Sequence, residues 1–258
     1  STTGATVLVG VEHLPASINL WRHALNWYGG MGIIVLVVAI LPLLGVGGMQ
    51  VYKAETPGPM KDEKLTPRIT QTARALWFIY FLFTAACAVA LKLTGMNWFD
   101  AVCHAFSTLS LGGFSTYDAS IGRFDSPAIE AVLIFFMLVA AMNFSRHFIA
   151  WQQKSLRTYL GDVEARALLL IIGVSTLGLA LIIWSEGVYP SLLTALRHVA
   201  FNLVSIATDC GLVSQDYAAW PMFAPMWILM LSSYCANTGS TGGGIKMFRT
   251  LVLFQQAG

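Results

Sequence analysis

The chain has 258 residues, of which 56% are hydrophobic and only 11% charged, with a formal net charge of +2 and a mean hydropathy of +0.67. A soluble globular domain carries about 25% charged residues, so the composition excludes one and describes an integral membrane protein. A β-barrel would alternate polar and apolar residues over ~10-residue segments; here the apolar residues come in long blocks, which predict an all-α membrane protein.

Taken in chain order, the first element is a polar loop, Ser1-Thr2-Thr3-Gly4-Ala5-Thr6. No basic stretch followed by an apolar one opens the chain, so no signal peptide is read there, and the start reads as truncated, in mid-pattern. An apolar block follows at 31–48. Residues 50–74 are then charged and interrupted by Pro57, Gly58, Pro59 and Pro67, which forbid a continuous helix. A helix is expected over 75–94. The stretch 97–109 is too short to span, but carries Trp98, Phe99, Val102, Phe106 and Leu109 at helical spacing. A second polar loop occupies 110–117, and the span that begins at Pro127 has its apolar core at 129–141, continuing with polar interruptions to Trp151. The order then repeats: a helix at 167–184, a short helix at 189–204, a polar loop at 205–215 and a helix from Trp220. That last apolar run, 218–236, meets a glycine cluster and resumes at 245–254. Each long block approaches the ~20 residues needed to cross the hydrocarbon core.

Charge orients the chain. Lys53, Lys61, Lys64, Arg68, Arg74, Arg146, Lys154, Arg157, Arg166, Lys246 and Arg249 fall on one side of the spans, eleven of the 15 basic residues. The positive-inside rule assigns that side to the cytoplasm. Glu12, Asp100, Asp118, Asp125, Glu186, Asp209 and Asp216 fall on the other, where an acidic face would concentrate cations at a mouth. Cys87, Cys103, Cys210 and Cys235 show no C-x-x-C spacing and read as free thiols. His13, His23, His104, His147 and His198 show no metal-binding or protease spacing, Ser107 and Ser110 have no nearby His–Asp partners, and no catalytic residues are read. The basic loops lack the interleaved aromatics that suit nucleic acid; lipid head groups and a cytosolic partner suit them better.

The three polar loops are copies of one another. Their central glycines, Gly4, Gly113 and Gly211, stand 109 and 98 positions apart (4 to 113, 113 to 211). Aligning the last two places Ser107 on Ser205, Ser110 on Thr208 and Asp118 on Asp216; aligning the first two places Ser1 on Ser110 and Thr6 on Ser115. The unit is an outer helix, a half-length helix, a glycine loop and an inner helix. It divides the chain into 1–52 (first loop and inner helix), a cytoplasmic loop at 53–74, 75–155 (second unit) and 156–258 (third unit, with an interrupted inner helix). Polar irregular backbone between apolar spans is tolerated at membrane depth only where it lines a water-filled path. Such units build pores in which loop carbonyls replace an ion's hydration shell, with the negative ends of the half-helices favouring a cation. The candidate ion-binding positions are Thr2, Thr3, Gly4, Ser110, Leu111, Gly112, Gly113, Thr208, Asp209, Cys210 and Gly211, with a cation held at backbone carbonyls.

A second polar segment lies where the third inner helix should run. Asn237, Thr238, Gly239, Ser240, Thr241, Gly242, Gly243 and Gly244 cannot hold a helix in lipid, since each glycine costs about 1 kcal/mol against alanine. It is expected to form an intramembrane loop below the glycine loops that restricts the pore. A phosphate-cradle reading fails because Ile245 separates the last glycine from Lys246 inside an apolar segment. Lys246 either faces the pore, where it would repel cations, or snorkels to the cytoplasmic surface.

The segments 104–122, 1–6 and 204–212 resemble the second, first and third pore loops of the Trk/Ktr/HKT superfamily of potassium transporters. Trp27-Tyr-Gly-Gly-Met-Gly-Ile-Ile34, Ala54-Glu-Thr-Pro-Gly-Pro59 and Asn237-Thr-Gly-Ser-Thr-Gly-Gly-Gly-Ile-Lys246 resemble further parts of its TrkH-type pore subunits. The resemblance implies potassium uptake across the bacterial inner membrane through four repeats around a pseudo-fourfold axis, with the glycine-rich segment 237–244 as the gate. It further implies a homodimer working with a cytosolic TrkA-type nucleotide-binding regulator, and no cofactor beyond the transported ion. Set against that pattern, the chain lacks the start of the first repeat and all of the fourth, and reads as a fragment. A Na⁺- or H⁺-coupled carrier and a non-conducting remnant stand as alternatives. The third loop departs from the family's usual Thr-Thr-Gly-Phe by reading Asp209-Cys210-Gly211-Leu212. Asp209 either faces the outer vestibule and alters selectivity, or points behind the filter and caps a backbone N–H.

Overall fold

The structure, a computed structural model, describes residues 2–36, 69–155 and 157–257, and these are all-helical, with no strand among them. In order they are α1 (Ala16–Ile34), α2 (Ile69–Leu93), α3 (Trp98–Leu109), α4 (Pro127–Ala141), α5 (Phe144–Gln153), α6 (Arg157–Leu160), α7 (Val163–Ser185), α8 (Leu192–Ala207), α9 (Phe223–Ser232) and α10 (Met247–Ala257). Short 3₁₀ turns at Val11–His13, Ser120–Arg123 and Tyr217–Ala219 follow the three glycine loops, one apiece. The starts are set by side-chain caps: Asn97 accepts from the Asp100 N–H, Ser126 from Ile129, Asp162 from Glu164 and Ser191 from Thr194. Pro127 sits in the first turn of α4, where its missing N–H costs nothing.

Two of the described helices are long and apolar enough to cross a membrane, over Ala73–Leu93 and Val163–Ser185; α4 and α5 make a third span if a pair bent by 96° is counted as one. Two expectations shift. The first inner helix begins at Ala16, well before the apolar block at 31–48, of which only 31–36 is described. Its first half escapes a hydropathy reading because Asn19, His23 and Asn26 are buried and face protein, not lipid. The cytoplasmic loop 53–74 lies outside the described residues up to 68, and from Ile69 onward it is already helix.

The packing repeats. Each half-length helix lies between its own outer helix and the inner helix of the preceding unit: α3 between α2 and α1, α8 between α7 and α4. Where α1, α2 and α3 meet, Trp27 stacks on Tyr80 and Phe106 with ring centroids 5.4 and 5.2 Å apart. Its indole N–H donates to Thr84 Oγ1 at 2.9 Å, and the Tyr80 hydroxyl returns a bond to the Trp27 carbonyl at 3.0 Å. Buried aromatic polar groups are thereby satisfied, and the junction fixes the base against which the second glycine loop rests.

Candidate functional site: three glycine loops and the segment beneath them

The second and third loops leave their helices by the same bonds. After α3, the Gly112 N–H donates to the Ser107 carbonyl at 2.8 Å and the Leu111 N–H to that of Thr108 at 3.2 Å. After α8, Cys210 donates to Ser205 at 2.8 Å and Asp209 to Ile206 at 3.0 Å. This pair of bonds defines a Schellman ending, whose hinge residue adopts the left-handed conformation. The hinges are Leu111 (φ 50°) and Asp209 (φ 61°). The residues just before them also match: the Ser110 hydroxyl reaches the Phe106 carbonyl and the Thr208 hydroxyl that of Val204, both at 2.8 Å. Asp209 therefore occupies a hinge, a place that aspartate tolerates better than most side chains.

The central glycine of all three loops is also left-handed, with φ of 68° at Gly4, 68° at Gly113 and 87° at Gly211. The loops lean on one another in sequence. A Cβ at Gly4 would stand 2.3 Å from the Gly112 carbonyl oxygen, and one at Gly113 would stand 2.2 Å from that of Cys210. A Cβ at Gly211 would meet only Gly113 Cα, at 4.0 Å, among the described residues. Thus the first loop lies on the second and the second on the third. They bound a cavity of about 350 Å³ whose lining includes Thr3, Gly4, Gly113, Asp209, Cys210 and Gly211. All the expected ion-binding positions fall among the described residues, Thr2 half-buried at the start of the first loop.

The segments that leave the second and third loops are tied back to their half-length helices. His104 Nδ1 lies 2.8 Å from the Asp100 carbonyl, which can only accept, so Nδ1 carries the proton and Nε2 accepts from the Ser115 hydroxyl at 2.9 Å. In the next unit Asn202 donates to the His198 carbonyl at 2.9 Å and to Ser214 Oγ at 3.1 Å, and accepts from the Ser214 N–H at 3.1 Å. His104 and Asn202 are 98 positions apart, the spacing of the loops themselves.

The acids expected to line an outer mouth are mostly engaged in structure. Asp100 is buried and accepts from Thr116, Asn97 and Tyr117 at 2.7, 2.7 and 3.1 Å. Asp118 accepts from the Gly10 and Val11 N–H groups at 2.6 and 3.0 Å, and these amides, Val11 first, hold its carboxyl below the ordinary aspartate range. Asp125 and Glu130 both bind the Arg197 guanidinium, at 2.8 and 2.7 Å. Asp216 caps the turn at Ala218.

Beneath the loops, two inner helices are broken side by side. The third stops at Ser232, and residues 233–246 are irregular until α10 begins. The second breaks at Met142–Asn143, a place read from sequence only as a polar interruption of a span. Each break satisfies the other: the Asn237 N–H donates to the Ala141 carbonyl at 3.3 Å and the Phe144 N–H to that of Gly239 at 3.1 Å. That exchange is what irregular backbone at membrane depth requires. The Thr241 hydroxyl lies 3.3 Å from the Leu109 and Ala140 carbonyls, and a Cβ at Gly242 would stand 3.1 Å from the Thr208 carbonyl oxygen. From the other side the Glu164 carboxylate accepts the Thr238 N–H at 2.7 Å. Lys246 donates its ammonium to the Gly242 carbonyl and is half-buried, folding back on its own segment, whose freed carbonyls need donors. Asp209 turns away from the outer face toward the same segment: its Oδ2 would stand 3.2 Å from a Cβ at Gly243.

A family profile described as TrkH, cation transport protein, matches residues 1–257. This chain belongs to the TrkH family. Among curated relatives it is 49% identical over 256 residues to the Trk system potassium uptake protein TrkH of Halomonas elongata, covering 99% of this chain and 53% of that protein. It is 48% identical to the Escherichia coli K12 protein of the same name over an equal span, and 45% identical to E. coli TrkG. The crystal structure of the potassium transporter TrkH from Vibrio parahaemolyticus superposes with a TM-score of 0.88 at 45% identity, over 99% of this chain and 52% of that one. The chain spans about half the length of the curated relatives it matches.

Within this TrkH-family fold, all four cysteines are buried free thiols, and no cluster of three or more metal-binding side chains occurs among the described residues. Sequence reading missed the His104–Ser115 and Asn202–Ser214 ties. The 98-position shift carries the signal for the helix partners, because it sets His104 on Asn202. It fails for the serines, whose spacing is 99, since the third loop is one residue longer at that point.

Proposed function

We propose that this chain contributes three sides of a four-sided cation filter in a potassium-uptake protein of the bacterial inner membrane. The observation that carries this reading is the sequential stacking of the three glycine loops, each turned left-handed at its central glycine, around one cavity. Backbone carbonyls at Thr2, Thr3, Gly4, Ser110, Leu111, Gly112, Gly113, Thr208, Asp209, Cys210 and Gly211 are the groups that would replace the hydration shell of K⁺. A further loop beside Gly211 completes the ring. The chain divides as 1–52, 53–74, 75–155 and 156–258: a partial first repeat, a cytoplasmic loop and two repeats.

The segment formed by Asn237, Thr238, Gly239, Ser240, Thr241, Gly242, Gly243, Gly244 and Lys246 acts as the gate. Its contacts with Leu109 and Thr208 at the ends of both half-length helices support that role. Asp209 acts on this segment and not on the outer vestibule. Transport is channel-like, with no catalytic step: Glu130, the acid in the first turn of the second inner helix, is bonded to Arg197 and is not free to relay a second ion. The protein works as a homodimer, with a cytosolic TrkA-type nucleotide-binding subunit on the basic face.

The test is K⁺-limited growth of an uptake-deficient host carrying the complete reading frame. Rescue is expected; a well-expressed, membrane-inserted protein that gives none sinks the proposal. The gate is tested by Gly242→Val, whose branched side chain cannot fit against Thr208 and Ala236. Resting ⁸⁶Rb⁺ flux through the variant should rise several-fold; unchanged or lower flux in a stable variant removes the gate role.

A further inference from the structure

The connector between the second inner helix and the third outer helix borders an open cleft of about 290 Å³ that the loops and the segment beneath them do not use. Its lining includes Arg146, Gln153, Ser155, Arg157 and Thr158. Two guanidinium groups from α5 and α6 therefore open onto one space on the basic, cytoplasmic face. Their charges are only partly met. Arg146 touches Asp162 through Nε alone, at 3.4 Å, which leaves its two Nη groups without a hydrogen-bond partner among the described residues. The Arg157 guanidinium makes no ion pair among them. Asp162 is itself engaged on its other oxygen by the Glu164 N–H at 3.0 Å, so it balances one arginine and not both.

A planar guanidinium with two free donors is matched bidentately by carboxylate or phosphate oxygens. Two of them around a space of this size, with serine and threonine hydroxyls beside them, suit an anion with several oxygens. Depth favours a particular source. Trp151, on α5 between the cleft residues, is half-exposed and packs edge-on against Phe78 of α2 at 5.1 Å, the position of an aromatic anchor at the membrane interface. Ile149 adds an apolar wall to the cleft. Basic pockets between helices at this level accept phosphorylated head groups.

We propose that this cleft binds a phosphate group, held between Arg146 and Arg157. The site stands one short link from the gate segment, since Asp162 receives Arg146 and Glu164, two residues on, holds the Thr238 N–H. Phosphate oxygens that take up the free Nη groups compete with Asp162 for Arg146 and act on the start of α7, where that latch is anchored.

The experiment uses the complete reading frame, purified in detergent, and reads binding, so that it is independent of whether the protein conducts potassium. In one arm phosphatidylglycerol is titrated and counted by native mass spectrometry; in the other, inorganic phosphate is titrated and read by thermal shift. Arg157→Gln, which loses no ion pair, and Arg146→Lys, which keeps a charge for Asp162 but loses the fork, should each weaken binding about tenfold. Arg166→Gln, exposed on the same face but outside the cleft, should leave it unchanged. Loss confined to the lipid arm identifies a phospholipid head group, and loss confined to the phosphate arm a soluble phosphate. Binding in neither arm, or equal weakening by Arg166→Gln, overturns the site.

Discussion

The three glycine loops meet at two joints, and the joints are made of different bonds. At the first, Asp118 clasps the Gly10 and Val11 amides, Glu12 accepts from the Asp118 N–H at 3.3 Å, and Asn26 of α1 donates to the Gly112 carbonyl at 3.2 Å. At the second, the Val213 carbonyl accepts from Ile121 and Gly122 at 2.9 and 3.2 Å, and Arg197 of α8 bridges to Glu130 of α4. Asp216, the counterpart of Asp118, takes no part and caps its own turn. Yet the Schellman endings and left-handed glycines inside the repeats coincide bond for bond. The conformations of the second and third loops are thus set within their own repeats, and the seams between repeats are free to diverge as long as they hold.

The sharpest way to break this contrast is to strike what the repeats share. Gly113→Ala places a methyl where the Cys210 carbonyl stands and demands a left-handed conformation that costs about 1–2 kcal/mol for a residue with a Cβ. Transport by the complete reading frame, measured as ⁸⁶Rb⁺ uptake per inserted protein, should fall by a factor of ~100 or more. Gly211→Ala has the same backbone demand and open space beside it among the described residues. If a fourth loop closes the ring there, Gly211→Ala is as damaging as Gly113→Ala. A variant that retains more than about a tenth of the uptake would place no such loop against Gly211.

The second joint should depend on Arg197. Its removal strands the Glu130 carboxylate, whose side chain is only 3% exposed. Breaking a buried pair from one side costs about 3–5 kcal/mol, and Arg197→Ala belongs at the low end because the arginine itself is partly in water. Asp125 is the exposed partner, and Asp125→Asn should cost less than ~1 kcal/mol. Thermal unfolding in detergent separates them; equal shifts for the two variants would mean that the bridge to α4 is not what holds the seam.

Much of this architecture was legible in the sequence, for a physical reason. Membrane spans and glycine loops are written in composition, and a repeat exposes them by spacing alone. The half-length helices, the interrupted third inner helix and the basic face all follow from that. The rest depends on burial and on bonds across repeats. The helix from Ala16 was hidden because its buried face is polar, Asn19, His23 and Asn26 turning toward protein. The break at Met142–Asn143 was hidden because its freed backbone is satisfied by a segment about a hundred residues away. Of the acids read as an open mouth, Asp100, Asp118, Asp125 and Asp216 are engaged in structural bonds, which no count of charges distinguishes from a cation-attracting rim. Asp209 looked anomalous as a filter residue, and is ordinary as a left-handed hinge.

Within the repeats, His104 and Asn202 do one job with two chemistries, so exchanging them sharpens the comparison. Alanine at either position removes a tie to the segment leaving the loop and should cost about 2 kcal/mol. His104→Asn keeps a donor and an acceptor of the kind that serves at Asn202, and should cost about half as much. Melting temperatures of the three variants decide the matter. Equal losses for His104→Asn and His104→Ala would show that the imidazole matters as volume and not as a bond.

The smallest effect lies at the first joint and is visible only against pH. The amides of Val11 and Gly10 lower the Asp118 pKa from its ordinary 3.8. A depressed folded-state value means that the clasp contributes fully above the ordinary aspartate range and is lost as pH falls through the lowered one. Hydrogen exchange at Gly10 and Val11 should therefore stay protected at neutral pH and lose protection only in acid below 3.8, after the unavoidable change in intrinsic exchange rate is divided out. Asp118→Asn should abolish that acid step and weaken protection modestly at every pH, because an amide oxygen accepts less strongly than a carboxylate. Since Asp118 is exposed, the two remaining bonds of the joint, from Glu12 and Asn26, should keep the loops seated, and uptake at neutral pH should barely change. A large loss of uptake in Asp118→Asn would mean that the first joint, unlike the second, rests on a single side chain.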